Sequence, residues 1–208
     1  MRERATPPTL WGLACLLLAA CLHLGPRPDP TRFFTLTSLP QSEQATGRDS
    51  SNPAQVAVGV GPIQLPGYLD REQFVTRISQ NRFAVSENDR WAEPLEENFA
   101  NVLALNLSTL LLSDRVTRYP WPSNQRPTYQ VEIDVARFET DTARAAQLVA
   151  RWTLRDVATK QALDVRESRL NELAKGTTTE ESVAALSGVL GDFSREIAKA
   201  LRSLAHRQ

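Results

Sequence analysis

The sequence predicts an α+β domain, a single mostly antiparallel β-sheet with two long amphipathic helices packed on it. Three observations carry that prediction. Between residues 128 and 173, three consecutive segments alternate apolar with polar residues, the pattern of antiparallel strands with one buried and one wet face. A segment opening near Trp91 and the segment that closes the chain instead repeat apolar residues every three or four positions, the period of a helix. Short polar stretches separate all of these, and no internal repeat interrupts them.

In chain order, Arg32 to Leu36 ("RFFTL") is short, aromatic and β-rich, a first strand. The polar "PQSEQATGRDSSNP" after it reads as a loop. In "QVAVGVGPIQLP", Val56, Val58 and Val60 share the face of a buried strand that should stop at Pro62. "LDREQFVTRIS" and "NRFAVSEND" form two strands around a turn at Gln80-Asn81. The first helix carries Leu95, Phe99, Val102, Asn106 and Leu110, widened by Leu103 and Leu107, with Pro94 in its first turn and an end near Leu112. Leu105 and Leu112 fall off that stripe, which predicts cover on two sides, from the sheet and from a second helix or subunit.

After the proline-broken loop "RYPWPSNQRP" come the three alternating strands. Tyr129, Val131, Ile133, Val135 and Arg137 share one face of the first, and Leu148, Ala150, Trp152 and Leu154 one face of the second. Asp141-Thr142 and Thr159-Lys160 sit at the tips. The closing helix carries Val183, Leu186, Leu190, Phe193, Ile197, Leu201 and Leu204. Thr178 or Thr179 caps its start beside Glu180 and Glu181, and Lys199, Arg202 and Arg207 load its negative end. Gly188 and Gly191 mark either close packing on a strand or an oligomer contact.

The N-terminus sets the compartment. Arg2 and Arg4 precede an apolar run from Leu10 to Ala20, the layout of a secretory signal. At about 1.5 Å rise per residue such a run covers only roughly half of a hydrocarbon core about 30 Å thick. Leu18-Ala19-Ala20-Cys21 resembles the bacterial lipobox, which makes 1–20 a lipoprotein signal peptide and Cys21 the acylated first residue. The alternative, ordinary cleavage, leaves Cys21 as a lone thiol or half of an intermolecular disulfide in an oxidising compartment. Several acyl chains on one cysteine give stable anchoring without any membrane-spanning helix. Leu22 and His23 follow the cysteine in place of the aspartate that favours inner-membrane retention, so the outer membrane is expected. Residues 21–31 are then the lipidated cysteine and a tether rich in proline, and 32–208 a single periplasmic α+β domain.

Composition and absence exclude several chemistries. Without residues 1–20 the chain holds 22 basic and 23 acidic residues, too balanced for a nucleic-acid face. Its two histidines, His23 and His206, lie in the tether and at the third position from the end, and no cysteine follows Cys21. That removes the usual parts of zinc sites and of nucleophile-histidine catalysis, and no phosphate-binding glycine loop occurs. Asp70, Glu93, Glu96, Glu97, Asp141 and Asp156 are the nominal candidates for paired-carboxylate chemistry, but positions in a first helical turn or at hairpin tips suit solvation and the helix dipole. The expectation is no catalytic residue, no metal and no cofactor.

Several stretches together resemble a known family: "FFTL" after a lipobox, "VGVGPIQLPGYLDREQFVTR", "NRFAVSENDRWAEPLEENFANVLALNLSTLL", "YPWP" and "ALSGVLGDFSREIAKAL". They are similar to the PqiC family, lipoprotein components of ABC-type transport systems that carry MCE proteins. "LPGYLDR" followed about twenty residues later by "DRWAEPLEENF" is the most specific part. The resemblance implies an outer-membrane lipoprotein facing the periplasm, working beside a PqiA-like inner-membrane protein and a PqiB-like MCE protein whose rings form a tunnel. The implied task is traffic of phospholipid or other hydrophobic cargo for envelope integrity, with this chain docking the tunnel's distal end as a homo-oligomeric ring.

The motif positions that transfer are Leu65, Pro66, Tyr68, Leu69, Asp70 and Arg71, then Asp89, Arg90, Trp91, Ala92, Pro94 and Leu95. Among them Tyr68, Arg71, Arg90 and Trp91, with Tyr119 and Trp121 of the "YPWP" loop, are the candidate partner-binding residues, being the aromatic and arginine types that interfaces favour. For the second motif a structural role stands beside this one, with Asp89 capping the helix and Trp91 stapling its entry. Two other functions stay open: a lipid-binding carrier using an apolar groove beside the helices, and a carboxylate-pair envelope hydrolase.

Overall fold

The computed structural model describes residues 29–43 and 56–205. The expected signal peptide, Cys21, most of the tether, part of the polar loop and the last three residues, with His206 and Arg207, lie outside the described residues. One compact unit starts at Thr31.

Eight strands form one sheet: β1 (Arg32–Phe34), β2 (Val58–Gln64), β3 (Gln73–Ser79), β4 (Arg82–Trp91), β5 (Val116–Arg118), β6 (Tyr129–Asp141), β7 (Ala145–Asp156) and β8 (Ala162–Leu173). Two helices join them, α1 (Leu95–Leu111) between β4 and β5, and α2 (Thr179–Ala205) after β8. The α+β class holds. The sheet, however, is mixed, with β1–β4, β2–β5, β2–β6 and β3–β6 parallel and only β3–β4, β6–β7 and β7–β8 antiparallel. Alternation reports which face a residue takes and not strand direction, so the parallel pairs, made through long connections, left no mark in the pattern. The long antiparallel meander β6–β7–β8 is as predicted.

The center of the sheet is β6. Along one edge it pairs with β7 over nearly its full length; along the other, β2 takes Tyr129 to Asp134 and β3 takes Thr140 and Asp141. The sheet therefore forks. A register shift in β6 between Val135 and Arg137 turns Phe138 into the core, where the strict alternation placed Arg137.

Two boundaries also differ from expectation. Pro62 does not end β2: the strand continues to Gln64 through a register shift after Val60, with Pro62 exposed, which is where a sheet tolerates a missing donor. The strand expected from Leu69 starts only at Gln73, since Leu69 closes a short 3₁₀ turn, Gly67–Leu69.

Both helices lie against the sheet and against each other, α1 over β2 and β5, α2 over β7, β8 and β6. Their shared interior is filled by Phe99, Phe138, Trp152 and Phe193, all fully buried, with Phe99 and Phe138 edge to face at 5.1 Å between ring centres. Thr178 and Glu181 close a reciprocal cap on α2: the Glu181 N–H donates to Thr178 Oγ1 at 3.2 Å, and the Thr178 N–H donates to Glu181 Oε2 at 2.9 Å. The Thr178 N–H and then its hydroxyl, which also donates to Glu181 Oε2 at 2.8 Å, hold the Glu181 carboxyl below its ordinary range. The glycines of α2 serve close packing. A Cβ on Gly188 would collide with the Glu172 carboxylate on β8, and one on Gly191 would lie 2.8 Å from Leu39 Cδ2. Leu105 and Leu112, expected to be covered, are exposed.

The segment from Thr35 to Glu43 straps across both helices. Two buried asparagines of α1 hold it: Asn98 Oδ1 accepts from the Leu36 N–H and Asn106 Oδ1 from the Leu39 N–H, each at 2.7 Å. On α2, Ser187 Oγ accepts from the Thr37 N–H at 3.1 Å, and Arg195 pairs with Glu43. An asparagine inside an apolar stripe is costly unless satisfied, and here each amide nitrogen is also used, on Thr35 Oγ1 and Ser194 Oγ.

Candidate functional site

The residues singled out from the sequence divide into two groups. Tyr68, Arg71, Arg90 and Trp91 belong to β3, β4 and the turn before them, on one arm of the fork; Tyr119 and Trp121 belong to the other arm, beside β2 and β5.

Tyr68 fills the fork itself. Its hydroxyl donates to Glu139 Oε2 at 2.6 Å, and its ring stacks on Phe83 at 4.4 Å. Glu139 is fully buried and also accepts from Arg77 Nε at 2.6 Å, Arg137 Nε at 3.0 Å and the Phe138 N–H at 3.0 Å. The Arg77 guanidinium lies 4.4 Å above the Phe83 ring. Burial, then the hydrogen bond to Glu139 and its negative charge, push the Tyr68 phenol well above the ordinary tyrosine range. This cluster is a structural joint: four polar groups from β3, β6 and the Gly67–Leu69 turn satisfy one another where the sheet divides.

Trp91 is also internal, 6% exposed and 5.5 Å from the Phe74 ring centre, so it anchors the entry to α1 and presents no surface to a partner. Asp89 does not cap α1. Its carboxylate accepts instead from Arg32 Nε at 2.8 Å and from Thr179 Oγ1, at the start of α2, at 2.6 Å, tying β1 and α2 to the end of β4. Burial works against ionisation of Asp89, but the bonds from Thr179, Arg32 and Ser86 and the charge of Arg32 outweigh it and hold the carboxyl below its usual range. A carboxyl whose folded pKa is depressed stabilises the fold above the unfolded value, about 3.9, and loses that contribution as pH falls through the folded value. The stability of the wild type is therefore expected to fall, as pH drops below about 4, more steeply than that of an Asp89→Asn variant, a comparison read by urea denaturation at each pH.

What remains outward on this arm is the edge made by β1 and the end of β4. Arg71 is exposed, and Arg90 reaches the exposed Glu72 at 3.2 Å. Phe33, opposite Arg90 in register, is 65% exposed. A strand over "RFFTL" does not by itself single out Phe33; its alternation with Phe34, which packs on the core, is the available signal.

On the other arm the "YPWP" loop covers the face of β2 opposite the helices. Trp121 lies on Gly59, where a Cβ would come 2.6 Å from its ring, and the Tyr119 N–H donates to Val60 O at 2.8 Å. Gly61, at φ 109°, takes a conformation that other residues rarely adopt, directly under Tyr119. Tyr119 meets Trp121 edge to face at 5.4 Å and is 54% exposed. Gly59→Val is expected to displace Trp121 and destabilise the domain by about 1–3 kcal/mol, with a red-shifted tryptophan emission as the direct readout.

Two depressions are prominent. One, about 500 Å³, lies between β3–β4 and the start of α2 and is lined mainly by hydroxyl and charged residues, among them Thr76, Ser86, Asp89, Thr140, Arg144 and Thr179. The second, about 290 Å³, is lined by Asp114, Arg115, Thr117, Asn124, Gln125 and Arg126 with two apolar neighbours. Among the described residues no three metal-ligating side chains converge, and no helix is long and apolar enough to cross a membrane. The nominal acids Glu93 and Asp141 are engaged locally, Glu93 by Asn98 and Asp141 by the Ala145 N–H and Gln147.

Comparison with known proteins agrees with this architecture. The chain is 26% identical over 172 residues to the intermembrane transport lipoprotein PqiC of Escherichia coli (strain K12), covering 83% of this chain and 87% of that protein, and matches its Shigella flexneri counterpart to the same extent. Among solved structures, the Xanthomonas campestris protein XCC0632 superposes with a TM-score of 0.65 at 18% identity, over 85% of this chain and 98% of that one. Residues 34–198 match the family described as ABC-type transport auxiliary lipoprotein component, and the chain belongs to that family.

Proposed function

We propose that this chain is the outer-membrane lipoprotein of a PqiABC-type system, anchored through acyl chains on Cys21 and docking the periplasmic MCE tunnel that moves phospholipid or other hydrophobic cargo between the membranes. Its partners on this reading are a PqiB-like MCE protein and, through it, a PqiA-like inner-membrane protein. The family membership and its likeness to an intermembrane transport lipoprotein support the system. The observation that favours docking over carriage is the character of the concavities: in both prominent depressions most lining residues are polar and the apolar surface amounts to only about half, whereas an acyl chain favours a predominantly apolar lining. The interior between helices and sheet is occupied by the chain's own aromatic side chains.

The docking surface takes in Phe33 and Arg90, opposite each other in register on β1 and β4, and the exposed Arg71 ahead of β3, with Tyr119 as a second contact on the other arm. Titration of a purified PqiB-like periplasmic region against the acylated protein tests this. Phe33→Ala combined with Arg71→Ala is expected to weaken binding by at least about tenfold, some 1.4 kcal/mol, and Tyr119→Ala by less. Equal affinity of all variants, together with extraction of phospholipid by the domain from vesicles, would replace docking by the carrier reading.

A further inference from the structure

The loop that follows β5 folds back beside the start of that strand and shelters the smaller depression, about 290 Å³, at the lower end of the volumes in which proteins hold small ligands. Val116 packs on the core, so the next residue, Thr117, faces the other side of the sheet. It stands opposite Gly59 in register, on the face where Trp121 and Pro127 cover that glycine. Thr117 lines the pocket, and its Oγ1 is buried without a hydrogen-bond partner among the described residues. A buried hydroxyl left so is costly, and a ligand entering the pocket can supply the missing partner.

The other polar lining residues come from two segments. Asp114 and Arg115 precede β5, and Asn124, Gln125 and Arg126 belong to the loop. Two guanidiniums and two carboxamides thus outnumber one carboxylate, which favours an anion. The loop is fixed in place: the Gln125 N–H donates to Pro122 O and the Thr128 N–H to Ala57 O, each at 2.9 Å, and Arg126 Nη2 donates to Val157 O at 3.3 Å. Donors held in advance lose little freedom on binding. Guanidiniums from two segments, together with a hydroxyl, suit a tetrahedral oxyanion that accepts from several directions better than a planar carboxylate. The volume suits a phosphate with a few attached atoms and leaves no room for an acyl chain.

We propose that this pocket is a phosphate-binding site, with Thr117 Oγ1 donating to a phosphate oxygen and Arg115 and Arg126 meeting its charge. The phosphate belongs either to a small soluble ester or to a lipid headgroup. Asp114 opposes the charge and limits affinity. Failure of this site leaves docking through Phe33, Arg71 and Arg90 standing, since those residues lie on the other arm of the fork.

Calorimetric titration of the full-length acylated protein in mild neutral detergent with glycerol 3-phosphate, and with glycerol as the control, tests the site. Saturable binding of the ester and none of glycerol is expected. Arg126→Ala should raise Kd about tenfold or more and Thr117→Val about fivefold, whereas Asp114→Asn should lower it about threefold. Thermal unfolding of each variant checks the fold. Thr117→Val should leave Tm unchanged or higher, because it removes an unpartnered hydroxyl, where a hydroxyl serving the fold would lower it. Micelles containing phosphatidylglycerol distinguish the source: competition with glycerol 3-phosphate, lost in the same variants, assigns the site to a headgroup, and no competition assigns it to a soluble ester. Absence of binding to either probe, or affinity indifferent to Arg126→Ala and Thr117→Val, would overturn the proposal.

Discussion

Replacing Glu139 with alanine should lower the unfolding free energy by about 3 kcal/mol, the lower part of the range for breaking a buried ion pair from one side. Glu139 is the single acceptor shared by Tyr68, Arg77 and Arg137, and the Phe138 N–H also donates to it. Its loss would strand two guanidiniums and a phenol at the fork of the sheet. Arg137 is partly solvated and can turn outward, which limits the cost. Tyr68→Phe removes one donor and should cost about 1–2 kcal/mol. Because both changes act on one network, the double variant should lose less than the sum, and a double-mutant cycle from urea midpoints reads that difference.

The strap over the helices gives the second large effect. Asn98 and Asn106 are eight residues apart on α1, about 12 Å along the axis, and each holds one backbone N–H of the strap from a buried position. Asn106→Ala should cost about 2 kcal/mol, since it deprives the Leu39 N–H of its acceptor and opens a small void. Asn98→Ala should cost a similar amount, and the pair about 4 kcal/mol, because sites so separated add. Amide hydrogen exchange at Leu36 and Leu39 should rise well before exchange in β6 or β7 does. β1 follows the expected tether directly, so tension on a lipid anchor would reach its pairing with β4 first and the strap next.

The sequence made the helices and the β6–β7–β8 meander readable because each buries one face at a regular period. Phe99, Trp152 and Phe193 are core residues as their spacing requires. Strand direction was not readable, since Val58 and Val131 alternate alike whether their strands run parallel or opposed. Glu139 was invisible for a related reason: the shift in β6 moves Phe138 onto the core face and Glu139 onto the other, where Tyr68 and Arg77 cover it. The two asparagines of α1 differ. Asn106 sits within the apolar stripe in plain view, but its partner is an irregular segment with no period to announce where it lies.

The candidate site was half legible. Tyr68 and Trp91 were found as motif positions, yet both turned inward, Tyr68 onto Glu139 and Trp91 onto Phe74. Residue type cannot separate an aromatic that docks a partner from one that staples a helix. Arg71 is exposed and Arg90 half-buried, and Phe33 joins Arg90 through the parallel β1–β4 pairing, a contact between segments far apart in the chain.

The most direct measurement of the central claim is a mild-detergent pull-down of the full-length acylated protein from its native envelope, with bound proteins and lipids both identified by mass spectrometry. The account predicts recovery of an MCE protein with its inner-membrane partner, and loss of both with the Phe33→Ala, Arg71→Ala variant while the protein stays in the membrane fraction. Recovery of phospholipid without any MCE protein would contradict it.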